Sequence, residues 1–108
     1  ESAFDLFTAL LSSGPAYIFY FIEALQKVAK GLNLDESITK ELITEMIKGS
    51  STLAGLSEDS PSLLRERVTS PGGVTQKALE VLNEKGVSDS IVEAILKATE
   101  KSKTLGES

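Results

Sequence analysis

Ala16-Tyr17-Ile18-Phe19-Tyr20-Phe21-Ile22 is apolar or aromatic at every position. On a helix, with about 3.6 residues per turn, such a run leaves no polar side to turn toward water. It must be covered all round. The surface of its four aromatic rings, at roughly 25 cal/mol per Å², amounts to several kcal/mol, too much for a stable water-soluble fold to leave wet. Two arrangements would cover it: the other helices of the chain could surround it, or a partner subunit could. In a chain of 108 residues, the partner is the stronger expectation.

The rest of the chain is punctuated as helices. Strand signals are weak, and an all-α fold of six helices is expected. A first helix over residues 2–11 would place Phe4, Phe7, Leu10 and Leu11 on one face. Ser12-Ser13-Gly14-Pro15 interrupts it. Pro15 then sits at the start of the second helix, where its missing N–H costs nothing, and Gly31 after Lys30 reads as a left-handed cap. Asp35 reads as the N-cap of a third helix reaching Ala54 or Gly55, with Ile38, Leu42, Ile43, Met46 and Ile47 in one stripe. Gly49-Ser50-Ser51 has poor helix propensity inside it, which predicts either a close helix crossing, the favoured reading, or a break. Ser60-Pro61 opens a short fourth helix that ends before Pro71. A fifth runs from Gly73 to Lys85 and closes on Gly86. Ser88 is expected to cap the sixth, with Ile91, Val92, Ile95, Leu96 and Thr99 facing inward.

Composition narrows the chemistry. A net charge of −5, with scattered lysines, opposes nonspecific nucleic-acid binding and a helix-turn-helix recognition face. The absence of Cys and His removes disulfides, thiol nucleophiles, zinc sites of the usual kind and imidazole acid–base work. Any metal would need oxygen ligands, and no EF-hand spacing is present, so no metal is expected. No stretch looks long enough for the roughly 20 apolar residues that cross a bilayer, and no signal peptide opens the chain, so a cytoplasmic location is expected. One domain spanning residues 1–108 suits this length.

The candidate site is the run Val68-Thr69-Ser70-Pro71-Gly72-Gly73-Val74-Thr75 ahead of an amphipathic helix. Pro71 stops the preceding helix, and Gly72 and Gly73 let backbone approach a ligand without a Cβ. The first amides of the next helix lack intrahelical acceptors and lie at its positive end, which suits a carboxylate or phosphate. Taken alone, Pro-Gly-Gly reads first as a plain turn between two helices, with Ser70 and Thr75 as helix caps.

Read from Pro61 through Leu64, Val68-Thr69-Ser70, Gly72-Gly73, Thr75, Ala78-Leu79 and Leu82-Asn83, the order closely resembles the signature of the Δ1-pyrroline-5-carboxylate reductase family. Thr8-Ala9-Leu10 with Ser13-Gly14-Pro15-Ala16-Tyr17, and Ala98 to Lys103 with Leu105-Gly106, resemble its entry to the long core helix and its closing helix. The resemblance covers nearly the whole chain but only the carboxyl-terminal half of the family's enzyme. No G-x-G-x-x-G follows a strand, and Glu1 is not an initiator Met. It implies a six-helix carboxyl-terminal domain of the 6-phosphogluconate-dehydrogenase-like type, forming an interlocked helical homodimer, with stacking of dimers into larger rings left open.

The function so implied is the last step of proline biosynthesis, reduction of 1-pyrroline-5-carboxylate to L-proline with NADPH or NADH. The nucleotide would be held mainly by an amino-terminal Rossmann domain lying outside this chain, and the chain alone would be inactive. The family's roles carry over to matching positions only. Gly72, Gly73, Val74 and Thr75 border the substrate, with the amides of Gly73, Val74 and Thr75 and the Ser70 hydroxyl holding its carboxylate. The Thr75 hydroxyl meets the imine nitrogen as the catalytic donor, and Glu58 matches an acidic position near the pocket or is a solvated loop charge. Leu11 and Ser12 depart from the family's Ser-Gly-Ser-Gly-Pro. If a positive φ is required there, Ser12 would be strained. Two other readings remain: a noncatalytic helical interaction module, and a divergent relative acting on another cyclic imine.

Overall fold

The structure is a computed structural model that describes residues 2–107. Six α-helices follow in order: α1 (Ser2–Phe7), α2 (Gly14–Gly31), α3 (Glu36–Leu56), α4 (Pro61–Arg67), α5 (Val74–Glu84) and α6 (Val87–Glu107). A π-helical segment, Thr8–Ser12, joins α1 to α2. No strand occurs among the described residues. Contacts divide the chain into two units, Glu1–Tyr17 with Pro71–Ser108, and Ile18–Ser70.

In the first unit α1 and the π segment lie against α6, and α5 packs on α6 as well. Its core is small. Ala9 is 2% exposed and Ile95 9%, and the buried polar residue is Asp5. Phe4, Phe7, Leu10 and Leu11, which share one face by their spacing, are all exposed. So are Ile91, Val92 and Leu96, whereas Ile95 is buried and Thr99 half-buried. The described residues buried in this unit are instead Asp5, Ala9 and Ile95. The Ser102 hydroxyl donates to the Asp5 carboxylate at 2.9 Å, joining α6 to α1.

The π segment has a local cause. Ser13 N–H reaches back five residues to the Thr8 carbonyl at 3.1 Å, and Pro15 has no N–H with which to continue a regular ladder. The Tyr17 hydroxyl donates to the Ala9 carbonyl at 2.7 Å, satisfying backbone where the register changes. Ser12, inside this segment, does not take a positive φ; Asn33 is the non-glycine residue that does. The substitution of Ser for the expected Gly is therefore tolerated locally.

In the unit Ile18–Ser70, α2 ends in a Schellman arrangement. Leu34 N–H donates to the Ala29 carbonyl and Asn33 N–H to that of Lys30, with Asn33 at φ 60°. The left-handed cap thus falls on Asn33 rather than Gly31, which remains in the helix. Asp35 caps α3 as expected, accepting from Ile38 N–H at 3.0 Å. Ser60 caps α4, accepting from Leu63 N–H at 3.1 Å. α3 continues unbroken through Gly49-Ser50-Ser51. The expected crossing is not made by a described atom of this chain, since a Cβ on Gly49 would meet nothing within 4 Å. Within this unit neither α2 nor α4 packs extensively on α3.

Gly86, at φ 67°, ends α5 as expected. It also opens α6: Ser90 N–H donates to its carbonyl at 2.9 Å, so the helix begins at Val87 and Ser88 lies in its first turn rather than capping it.

Exposed apolar surface is extensive. Phe19 is 63% exposed, Tyr20 76% and Leu42 66%. The chain exposes 8884 Å² at 11.5 kDa. A folded monomer of that mass exposes about 5,800 Å², and two separately folded units of half the mass about 7,000 Å². The excess therefore does not depend on how the two units are arranged. The stretch Ala3–Gly31 is also long and apolar enough, by length and composition alone, to cross a membrane, which corrects the sequence expectation. The reason is continuity: the π segment carries the helix past Ser12-Ser13, so two apolar runs read as one.

The Asp5–Ser102 bond is open to test. Ser102→Ala leaves a buried carboxylate without this donor and should lower unfolding free energy by about 1–3 kcal/mol. Urea titration reads this directly, and an unchanged midpoint would show that the bond does not tie α6 to α1.

Candidate functional site

The site begins where α4 gives out. Thr69 Oγ1 donates to the Arg65 carbonyl at 2.6 Å, and the amides of Val68 and Thr69 close onto Arg65 and Glu66 at 3.2 and 3.0 Å. These bonds finish α4 three residues before Pro71. Ser70 is exposed, and its hydroxyl has no hydrogen bond. It is the last residue of the unit Ile18–Ser70, and Gly72 to Thr75 belong to the other unit.

Gly72 has φ 73°, a conformation that costs an L-residue roughly 1–2 kcal/mol. Its N–H donates to Oε1 of Gln76, one turn into α5. Gly73 follows at φ −89°, ψ −176° as N-cap, with no side-chain cap, and its carbonyl accepts from Lys77 N–H at 3.3 Å. The amides of Val74 and Thr75 thus open a helix with no acceptor in the chain. Val74 is 90% exposed, an apolar side chain standing clear at the helix mouth.

The capping alternative for Ser70 and Thr75 is therefore not realised: neither hydroxyl caps a helix. Thr8, Thr39, Thr69, Thr99 and Thr104 each donate to the carbonyl four residues back, and Thr44 to the one three back. For Thr75 the position four back is Pro71, two residues before the N-cap, and its hydroxyl, like that of Thr52, is uncommitted.

Glu58 lies in the loop between α3 and α4, in the unit Ile18–Ser70. Its neighbour Asp59 accepts from Arg67, and Asp59 N–H donates to Ser57 Oγ at 3.0 Å. The loop is thus shaped by Asp59, and Glu58 is left exposed without an ion pair. Gln76 was missed by sequence reasoning. A Gln three residues after an N-cap is half of a capping box, and that was the available signal.

A groove of about 240 Å³ in the unit Ile18–Ser70 is lined by Glu23, Gln26, Lys27 and Leu34 among others. It includes none of the expected site residues. Lys30 and Glu36 lie 4.0 Å apart on its rim. No group of acidic side chains that could hold a metal ion occurs among the described residues.

A family model described as pyrroline-5-carboxylate reductase dimerisation matches residues 1–105. Among curated relatives, pyrroline-5-carboxylate reductase 1 of Bacillus subtilis is 31% identical over 99% of this chain and 36% of its own length. The Aquifex aeolicus pyrroline-5-carboxylate reductase is 39% identical over 97% of this chain and 40% of its own. The crystal structure of Plasmodium falciparum pyrroline carboxylate reductase with NADP bound superposes at a TM-score of 0.93, 33% identical, over 98% of this chain and 40% of that one. The chain thus spans about 40% of the length of such relatives.

The strained turn gives a direct prediction. Gly72→Ala should cost about 1–2 kcal/mol of stability, and Gly72→Asn less, because Asn tolerates a left-handed φ. Equilibrium unfolding of both variants measures the difference. The reverse order would mean that φ is not what selects glycine there.

Proposed function

We propose, because this chain belongs to the pyrroline-5-carboxylate reductase dimerisation family, that it is the carboxyl-terminal substrate and dimerisation part, residues 1–108, of an enzyme that reduces 1-pyrroline-5-carboxylate to L-proline. The observation that supports this most is the mouth of α5, where the amides of Val74 and Thr75 and the Thr75 hydroxyl are uncommitted. The substrate is a cyclic imine bearing a carboxylate, and those groups match its two polar ends.

The amides of Gly73, Val74 and Thr75 hold the carboxylate at the positive end of the helix, with Ser70 adding a hydroxyl. Gly72 supplies the turn that brings these amides forward. Thr75 Oγ1 donates to the imine nitrogen, favouring the charge that develops there as the ring carbon is reduced. A threonine hydroxyl has no accessible pKa, so it acts as hydrogen-bond donor and proton conduit, passing to the ring nitrogen a proton drawn from solvent as hydride from the nicotinamide reaches the ring carbon. Glu58, an exposed residue of the loop between α3 and α4, matches an acidic position that the family resemblance associates with the substrate pocket.

The reductant is NADPH or NADH; NADP is the nucleotide bound in the Plasmodium falciparum relative. The described residues here do not fit a dinucleotide, for they offer no strand followed by a glycine-rich turn. That site belongs to a Rossmann domain outside these residues. A homodimer covers the apolar sides of α2 and α3, and a cytoplasmic location is part of the same proposal.

Three measurements test this. Light scattering should give about twice the 11.5 kDa chain mass, and a clean monomer with cooperative unfolding would remove the dimer. The chain alone should not oxidise NADPH in the presence of pyrroline-5-carboxylate, whereas the polypeptide carrying the dinucleotide domain should. In that enzyme Thr75→Val keeps shape and backbone amide but removes the donor, and kcat should fall about 10- to 1000-fold with proline inhibition little changed. Gly73→Val should instead raise KM and the inhibition constant of proline together. An unchanged kcat in folded Thr75→Val enzyme would end the catalytic role of Thr75.

A further inference from the structure

We infer that Gln76 is a positioning residue for this site: its side-chain carbonyl fixes the Gly72-Gly73 turn, and through it the direction of the amides that hold the substrate carboxylate. The inference rests on the reading of the α5 mouth given above. Gln76 touches no reacting atom in this account and acts through backbone.

Three observations carry it. Gly72 N–H donates to Gln76 Oε1, so the left-handed residue of the turn is tied to the helix it precedes. Gly73 caps α5 with no side chain of its own, so nothing else at the N-cap holds the loop against the helix. Gln76 is half-buried, while Val74, Thr75 and Lys77 around it are exposed. In the usual capping box the third helical residue reaches back to the N-cap N–H. Here it reaches one residue further, to Gly72, and leaves the N–H of Gly73 without a partner in the chain. A cap on Gly73 would have consumed a donor that the carboxylate needs. A bond to Gly72 steadies the turn and consumes none of the donors in use.

The side chain also suits its place electrically. Glutamine offers the acceptor without charge. Glutamate would offer the same acceptor but set a negative charge beside a carboxylate site, and methionine would match the length with no acceptor at all.

The test uses the full-length enzyme that contains this chain, with pyrroline-5-carboxylate as substrate and proline as competing ligand. Gln76→Met should raise KM and the proline inhibition constant together, about 3- to 30-fold, with kcat changed less than about threefold. Hydrogen exchange at the Gly72 amide should quicken in the same variant. In Gln76→Glu that amide should stay protected, while KM rises in a way that added salt partly reverses. Unchanged KM and inhibition constant in an active Gln76→Met enzyme would overturn the inference, even if its melting temperature fell. If Gln76→Met does not fold, an unchanged KM in Gln76→Glu would overturn it. A wild-type enzyme that reduces no pyrroline-5-carboxylate would defeat the function proposed above and this inference with it. Normal wild-type turnover with a null result at Gln76 defeats the inference alone.

Discussion

The apolar girth of α2 is the constraint on which the rest depends. Its aromatic residues point in every direction, and the chain does not supply enough neighbours to cover them: Phe19, Tyr20 and Phe21 are all exposed. The same shortage recurs on α3, where Gly49 meets no atom that would explain a glycine. Small residues in a helix weaken it by roughly 0.5–1 kcal/mol each, a cost that makes sense where another backbone comes close. The backbone that would come close is not one of the described elements of this unit. A helix that is apolar all round and a helix thinned by small residues are thus two signs of one arrangement, a core completed by a second copy.

That arrangement explains which parts of the fold were legible in the sequence. Caps were, because they depend on neighbours within four residues: Asp35, the Ser60-Pro61 pair and Gly86 behave as their local chemistry dictates. Where two local solutions competed, the sequence was less decisive. Asn33 took the left-handed cap from Gly31 because the Schellman bonds to Ala29 and Lys30 gain two more residues of α2. Gly86 displaced Ser88 because one residue can end α5 and begin α6. Burial was least legible. Periodicity finds an apolar face but not the body that covers it, and Phe4, Phe7, Leu10 and Leu11 stayed exposed while Asp5 and Ala9 were buried.

At the site, the residue types were legible and their commitments were not. Gly72-Gly73 and Thr75 announced a helix mouth, but the sequence could not tell a capping hydroxyl from a free one. Position is part of the answer: several threonines four residues beyond a helical or capping carbonyl spend the hydroxyl on it, as Thr69 does on Arg65, although Thr52 inside α3 does not. Thr75 has Pro71 in that place and keeps its hydroxyl. Gln76 was overlooked because its bond runs to Gly72, a position that only the fold identifies as the turn's strained residue.

A glycine N-cap would be a poor choice if helix stability were the only demand. Replacing Ser or Asp by Gly there costs only a few tenths of a kcal/mol, however, whereas a side-chain cap would occupy one of the very amides a carboxylate needs. At the mouth of α5 the helix gives up that small stabilisation, and the loop regains order through Gln76 from the other side. The turn is held, the first amides stay open, and an apolar Val74 stands 90% exposed beside them. Such a mouth is stable enough to persist without ligand and incomplete enough to favour one. In the function proposed above, the unsatisfied donors and the uncovered valine would both gain from the anionic ring of the substrate in front of them.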